Sequence, residues 1–187
     1  LRMCFGGVLA LSVWAGWLVG CGAGPGPASR PAGSLRDTGR AGELNGRAAD
    51  LIVGDRKEAE RLVRQALEAD AYHGPSHNNL GVIRLAEGDL YEAALSFERA
   101  HQLMGGHPGP LVNLGIALER GGRIDEALRQ YRAALSRAPD DLSALRAMVR
   151  CQIRHGREDD LTSARLRVVA ERSTDGWRDW AAAHAAE

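Results

Sequence analysis

The 187-residue sequence is short of lysine: Lys57 stands alone, and arginine supplies the remaining cationic charge. Aromatics make up 5% of the chain, too few for a large β-sandwich, which draws on β-branched and aromatic residues. Neither sign of charge is in excess, since 24 Lys+Arg balance 24 Asp+Glu. That balance excludes a general basic field for nucleic acid and a disordered acidic tail. The surplus of arginine, alanine and glycine matches a GC-rich codon usage, so arginine number alone carries no function. No Gly-x-Ser-x-Gly elbow, no glycine-rich phosphate loop with its lysine and no Cys-x-x-Cys-His occurs. His73 and His77 have the spacing of two metal ligands on one helix. Gly74-Pro75 between them is expected to break that helix, and His107 lies 34 residues beyond His73. Asp140-Asp141 and Asp159-Asp160 fall at expected helix starts, where carboxylates favour the dipole. The expectation is a mostly helical binding protein: not an enzyme, with no metal and no small-molecule substrate.

What is present begins with a leader. Arg2 precedes an apolar run from Phe5 to Val19, fifteen residues long, against the ~20 that a spanning helix needs. A cation, a short apolar stretch and small residues at its end form the pattern of a secretory signal peptide, placed at 1–20. The end of that run, Leu18-Val19-Gly20-Cys21, resembles the lipobox of bacterial lipoproteins. The resemblance implies that the Cys21 thiol takes a diacylglyceryl group and that the peptide ahead of it is removed. The covalent lipid on Cys21 would anchor the chain on the periplasmic side of the cell envelope. Gly22 after the cysteine points, by the same resemblance, to the outer membrane rather than the inner. An ordinary signal peptide with an incidental cysteine, or an uncleaved anchor, is the alternative. Residues 21–40 are rich in Gly, Pro and Ala and show no apolar period, so they read as a flexible tether. No polybasic patch assists membrane binding, which leaves attachment to the acyl chains. With Cys4 in the leader and Cys21 modified, Cys151 has no disulfide partner. It sits at an apolar helix position and is expected to be buried and inert.

The rest of the chain repeats. Residues 74–107 written above 108–141 align Asn79 with Asn113, Leu80-Gly81 with Leu114-Gly115, and Gly88 with Gly122. Glu92-Ala93 meets Glu126-Ala127, Phe97 meets Tyr131, and Ala100 meets Ala134. One period later Gly156 falls under Gly122; one period earlier Gly54, Glu58-Ala59 and Ala66 fall into line. A 34-residue period with these identities resembles the tetratricopeptide repeat (TPR). The resemblance implies an all-α helix-turn-helix solenoid, a right-handed superhelix of about seven to nine helices over 41–175. Its units are a degenerate repeat at 40–73, repeats at 74–107 and 108–141, and a degenerate repeat at 142–175. A short capping helix at 176–187 follows.

Periodicity supports the same fold without the family. Ile124, Ala127, Leu128, Tyr131, Ala134 and Leu135 share one helix face. Gly81 and Gly115, facing the alanines of the paired helix, let the axes approach within the ~8–10 Å of close packing, and Phe97 and Tyr131 fill the remaining gap. Each pair leaves an apolar face uncovered, so neighbours must stack. The first helix is expected near 43–53 and the second at 55–70. In the last unit Val149, Leu161 and Val168 replace small residues, so its packing must be wider or shifted. Two roles fit Trp177 and Trp180: covering the end of the solenoid, or forming an exposed interaction patch.

In TPR solenoids the first helix of each pair lines the concave groove. Carried over position by position, the resemblance places Asn78, Asn79, Val82 and Leu85 there from the first full repeat. The second gives Val112, Asn113, Ile116 and Glu119; the third gives Arg146, Arg150 and Ile153. The TPRs that clamp a chaperone's terminal carboxylate need a lysine where Asn78 stands and an asparagine where Val82 stands, so that ligand is not expected. An apolar floor of Val82, Val112 and Ile116 beside Arg146, Arg150 and Arg154 suits a partner segment with apolar anchors and acidic residues. A solvated arginine face is the alternative. The expected function is a lipid-anchored periplasmic scaffold that binds proteins, with membrane contact through the anchor. The architecture resembles envelope lipoproteins that assist pilus or secretion assembly. An accessory or regulatory subunit of a peptidoglycan hydrolase or protease is the alternative.

Overall fold

The computed structural model describes residues 36–185; the leader at 1–20, Cys21 and most of the segment read as a tether lie outside them. Among the described residues there are nine helices and no strands. Three hairpins come first: α1 (Thr38–Leu51) with α2 (Arg56–Ala69), α3 (Gly74–Glu87) with α4 (Leu90–Leu103), and α5 (Gly109–Arg120) with α6 (Ile124–Arg137). α7 (Leu142–His155), α8 (Thr162–Arg172) and α9 (Gly176–Ala185) complete the chain. Each hairpin packs on the next, and the first helices α1, α3, α5 and α7 also touch in succession. This is the stacked solenoid that the repeats require. None of the described helices is long and apolar enough to cross a membrane.

Helix starts follow the sequence closely. The Asp37, Asp55, Asp89 and Asp141 carboxylates accept the N–H of the residue three further on, at 2.7–3.2 Å, satisfying a donor with no intrahelical partner. Arg123, one repeat after Asp89, cannot cap; its guanidinium instead pairs with Glu126 in the first turn, Nε to Oε1 2.6 Å. Asp159 accepts from Leu161 N–H and from the Thr162 hydroxyl where α8 begins. Gly88 and Gly156 close α3 and α7 at φ of 84° and 59°, the left-handed conformation in which glycine has no Cβ penalty.

The first helix departs from its expected bounds. It starts at Thr38, inside the segment read as tether, and ends at Leu51. Gly39, Gly42 and Gly46 hid it, since glycine lowers helix propensity. Tertiary contacts make up the difference: Ala41 and Ala48 are buried, and Arg36 and Thr38 both bond the buried Asp70 carboxylate at the end of α2. The Arg36 hydrogen bond holds that carboxyl below the usual aspartate range, against the opposing effect of burial. Gly74-Pro75 is a second correction. It opens α3 rather than breaking a helix, because proline suits the first turn, where its missing N–H has no partner to lose.

The central core joins Ala93, Phe97, Ala127, Tyr131 and Ala134 with Leu114, Ala117 and Cys151. A Cβ built at Gly81 would stand 2.5 Å from Phe97 Cε1, and one at Gly115 would overlap the Tyr131 ring, 2.7 Å from Cδ1. In the last unit this lock is absent: Val149 replaces the glycine, and Arg165 replaces the aromatic and pairs with Asp159 at 2.6 Å. Leu161, aligned with the buried Ala93 and Ala127, lies just ahead of α8 and is exposed. α8 accordingly packs more extensively on α9 than on α7.

Candidate protein-binding surface

All the expected groove residues lie on α3, α5 and α7, the helices that succeed one another along one surface. Hydrogen bonds tie successive first helices across 34 and 35 residues. Asn79 Nδ2 donates to Asn45 Oδ1 of α1 at 2.9 Å, and Asn113 Nδ2 donates to Asn78 Oδ1 of α3 at 3.0 Å. The amides therefore align neighbouring first helices, each with further donor or acceptor capacity to spare. Ala147 stands at the next 34-residue step, so this series of amides ends where the arginines of α7 begin.

Val82, Leu85 and Ile116 are half-buried: they pack against the central core and keep part of their apolar surface open, with Ile116 beside Arg150 and Arg154. Val112 is different. It is only 6% exposed and belongs to the central core, so it supports the floor from beneath rather than forming it. Ile153 is half-buried and packs on the core beneath α9.

Glu119 is also buried, and its role is internal. Tyr131 Oη donates to its Oε2 at 3.0 Å. Arg150 Nη2 and Arg154 Nη1 approach its two oxygens at 3.4 Å each, and His155 Nε2 lies 3.6 Å from Oε1. Burial first, and the carboxylate second, push the Tyr131 phenol well above its ordinary range, so it remains a donor. One repeat earlier the same two positions are Leu85 and Phe97. The hydroxyl and the carboxylate occur together in this repeat, and the preceding repeat has neither.

Glu119, Cys151 and His155 offer ligand atoms within 4.8 Å of one another. Two guanidinium groups already share the carboxylate, which opposes a further cation there. The thiol is buried, and burial reinforced by Glu119 pushes it up to about 11, far from the thiolate that a metal requires. His73 and His77 are satisfied locally: His73 Nδ1 pairs with Ser76 Oγ, and His77 Nε2 with Ala71 O.

The arginines of α7 line two adjoining clefts. One, about 450 Å³, holds Ile116, Glu119, Arg120, Arg150, Arg154 and His155. The other, about 430 Å³, shares Arg150 and Arg154 and is walled by Asp175, Gly176, Trp177 and Trp180. Arg146 donates to Asp175 Oδ1 at 3.0 Å and lies over the Trp177 ring, 5.5 Å from its centroid. The indoles meet edge to face at 5.2 Å. Both tryptophans also pack on the core that α9 closes, so they cover the end of the solenoid and line this cleft at once. Their place in this cleft was not anticipated from sequence.

Tetratricopeptide-repeat profiles match residues 84–150 and 53–107. The cytochrome c-type biogenesis protein CycH of Bradyrhizobium diazoefficiens is 36% identical over 87 residues, covering 45% of this chain and 24% of that protein. The chain thus spans about a quarter of that relative's length. The first TPR of Spaghetti (RPAP3), bound to an HSP90 peptide, superposes with a TM-score of 0.60 at 18% identity, covering 66% of this chain and 99% of that one. The Thermobaculum terrenum O-GlcNAc transferase superposes at 0.65 and 21% identity, over 79% of this chain and 27% of the other. Residues 53–150 therefore carry tetratricopeptide repeats, and the chain folds as a TPR solenoid.

Proposed function

We propose that the chain is a lipid-anchored envelope adaptor, non-catalytic and without metal, whose first-helix surface holds a segment of a partner protein. The observation that carries this reading is the open apolar strip of Val82, Leu85 and Ile116, bounded by asparagine amides and by the arginines of α7. Apolar anchors give affinity, and flanking polar groups give direction to a bound segment. A neighbour of the same fold holds a peptide, which supports this use of the surface. Replacing Val82 and Ile116 together with Glu puts charge on half-buried positions while sparing the buried Val112. The variant should keep its helical circular dichroism and lose its native partner in crosslinked pull-down. Full retention of the partner by the folded variant would move the binding site elsewhere.

The anchor rests on Leu18-Val19-Gly20-Cys21, with the periplasmic side of the envelope, and its outer membrane, as the proposed location. Cys21→Ser should take up no labelled palmitate and should fractionate without detergent or remain unprocessed. A mature, detergent-requiring Cys21→Ser protein refutes the site. The process served is proposed to be the assembly of an envelope machine. The relative named for cytochrome c-type biogenesis favours c-type cytochrome assembly over pilus or secretion assembly.

A further inference from the structure

The 34-residue register does not stop at α8. Gly176, the first residue of α9, lies 34 residues beyond Leu142, the first of α7. Asn78, Val112, Arg146 and Trp180 therefore occupy one register position on α3, α5, α7 and α9, and Val82, Ile116, Arg150 and His184 occupy the next. In register, α9 takes the place of the first helix of a further repeat, and it is joined to α7 through Arg146, which bonds Asp175 and lies over Trp177. Trp180 and His184 stack at 4.6 Å between ring centroids, extending the surface with aromatic rings in place of the amides and aliphatics of the earlier repeats.

Charge at this end is unequal. Among the described residues, the carboxylates paired with Arg146, Arg150 and Arg154 are those of Glu119 and Asp175. Arg146 is held by Asp175, whereas Arg150 and Arg154 each contact Glu119 at 3.4 Å, long for a charge-assisted bond. Arg154 is 60% exposed on its side chain, and Arg150 Nε is buried with no partner. A guanidinium has five N–H donors, so most of theirs remain available beside the indoles.

Taking as given the groove reading above, we infer that the cleft between α7 and α9 is the specificity subsite of the binding surface. It receives an aromatic side chain flanked by carboxylates from the partner segment. The aromatic ring packs against Trp177 and Trp180, while the carboxylates take the free donors of Arg150 and Arg154. The apolar strip on α3 and α5 holds the remainder of the segment.

The four tryptophans are Trp14, Trp17, Trp177 and Trp180, so the full chain carrying Trp14→Phe and Trp17→Phe reports on this cleft alone. Titration with a synthetic peptide alternating Phe and Glu should change indole emission saturably. Counterparts with Lys for Glu, or Ala for Phe, should bind at least about tenfold more weakly. Arg154→Gln should lose a similar factor for the Phe/Glu peptide and leave circular dichroism unchanged, and raised salt should weaken the parent's binding. No saturable change, or equal binding of all three peptides, overturns the inference. A benzophenone amino acid placed at Ile116, and separately at His184, separates the two proposals. Capture of the same native partner from both positions is expected. Capture from Ile116 alone leaves the groove function standing and removes α9 from it; capture from neither removes both.

Discussion

Gly115→Ala should destabilise the chain by about 1–3 kcal/mol, the cost of overpacking a close contact, and Gly115→Leu by more. The added methyl has nowhere to go. It would overlap the ring of Tyr131, which is fully buried and tied by its hydroxyl to Glu119. Gly81→Ala meets Phe97 in the same way. Phe97 has no such tie, so its ring can shift further, and the cost should be smaller. Gly46→Ala provides the control: it lies in α1 with nothing within 4 Å of the new Cβ and should stabilise by roughly 0.5–1 kcal/mol through helix propensity. Thermal melting orders the three. At roughly 2–4 °C per kcal/mol for a chain of this size, Gly115→Ala melting within about a degree of the parent would show that the glycine is not a packing residue.

The same glycines explain why so much of the fold was legible. A close helix contact constrains both partners, so Gly81 with Phe97 and Gly115 with Tyr131 repeat at a fixed interval, and the interval is visible without coordinates. The start of α1 was not, because its stability rests on the Asp70 contacts rather than on its glycine-rich sequence. The surface was legible in direction but not in depth. Register placed Val112 with Asn78 and Arg146, yet the short branched side chain stays within the core while the longer polar ones remain half-exposed. The repeat register puts Asn79 and Asn113 in the groove; the inter-helix bonds they make involve residues on neighbouring repeats, Asn45 and Asn78. The aromatic cleft is not legible in the same way, because composition leaves Trp177 and Trp180 between an end cap and an exposed patch and does not put them beside the arginines of α7. Carrying the 34-residue step once more, from Leu142 to Gly176, was the signal that would have found it.

Glu119 and Tyr131 give the other large effect, and its form is non-additive. Glu119→Leu leaves the Tyr131 hydroxyl buried without an acceptor, for a cost of about 1–3 kcal/mol. Tyr131→Phe removes the one close bond to a carboxylate that is 6% exposed on its side chain, leaving it to contacts at 3.4–3.6 Å, and should cost about 1 kcal/mol or more. The double variant rebuilds the apolar pair that the preceding repeat already uses, Leu85 with Phe97. Replacing both members of a buried polar pair by apolar groups of similar shape is often near neutral. Arg150 and Arg154, released from the carboxylate, have exposed surface of their own and can be solvated. The double variant should therefore melt closer to the parent than Glu119→Leu alone, with a coupling of about 1–2 kcal/mol in the double-mutant cycle. Costs that simply add would mean that the hydroxyl and the carboxylate contribute independently, and that Glu119 is held by its arginines rather than by Tyr131.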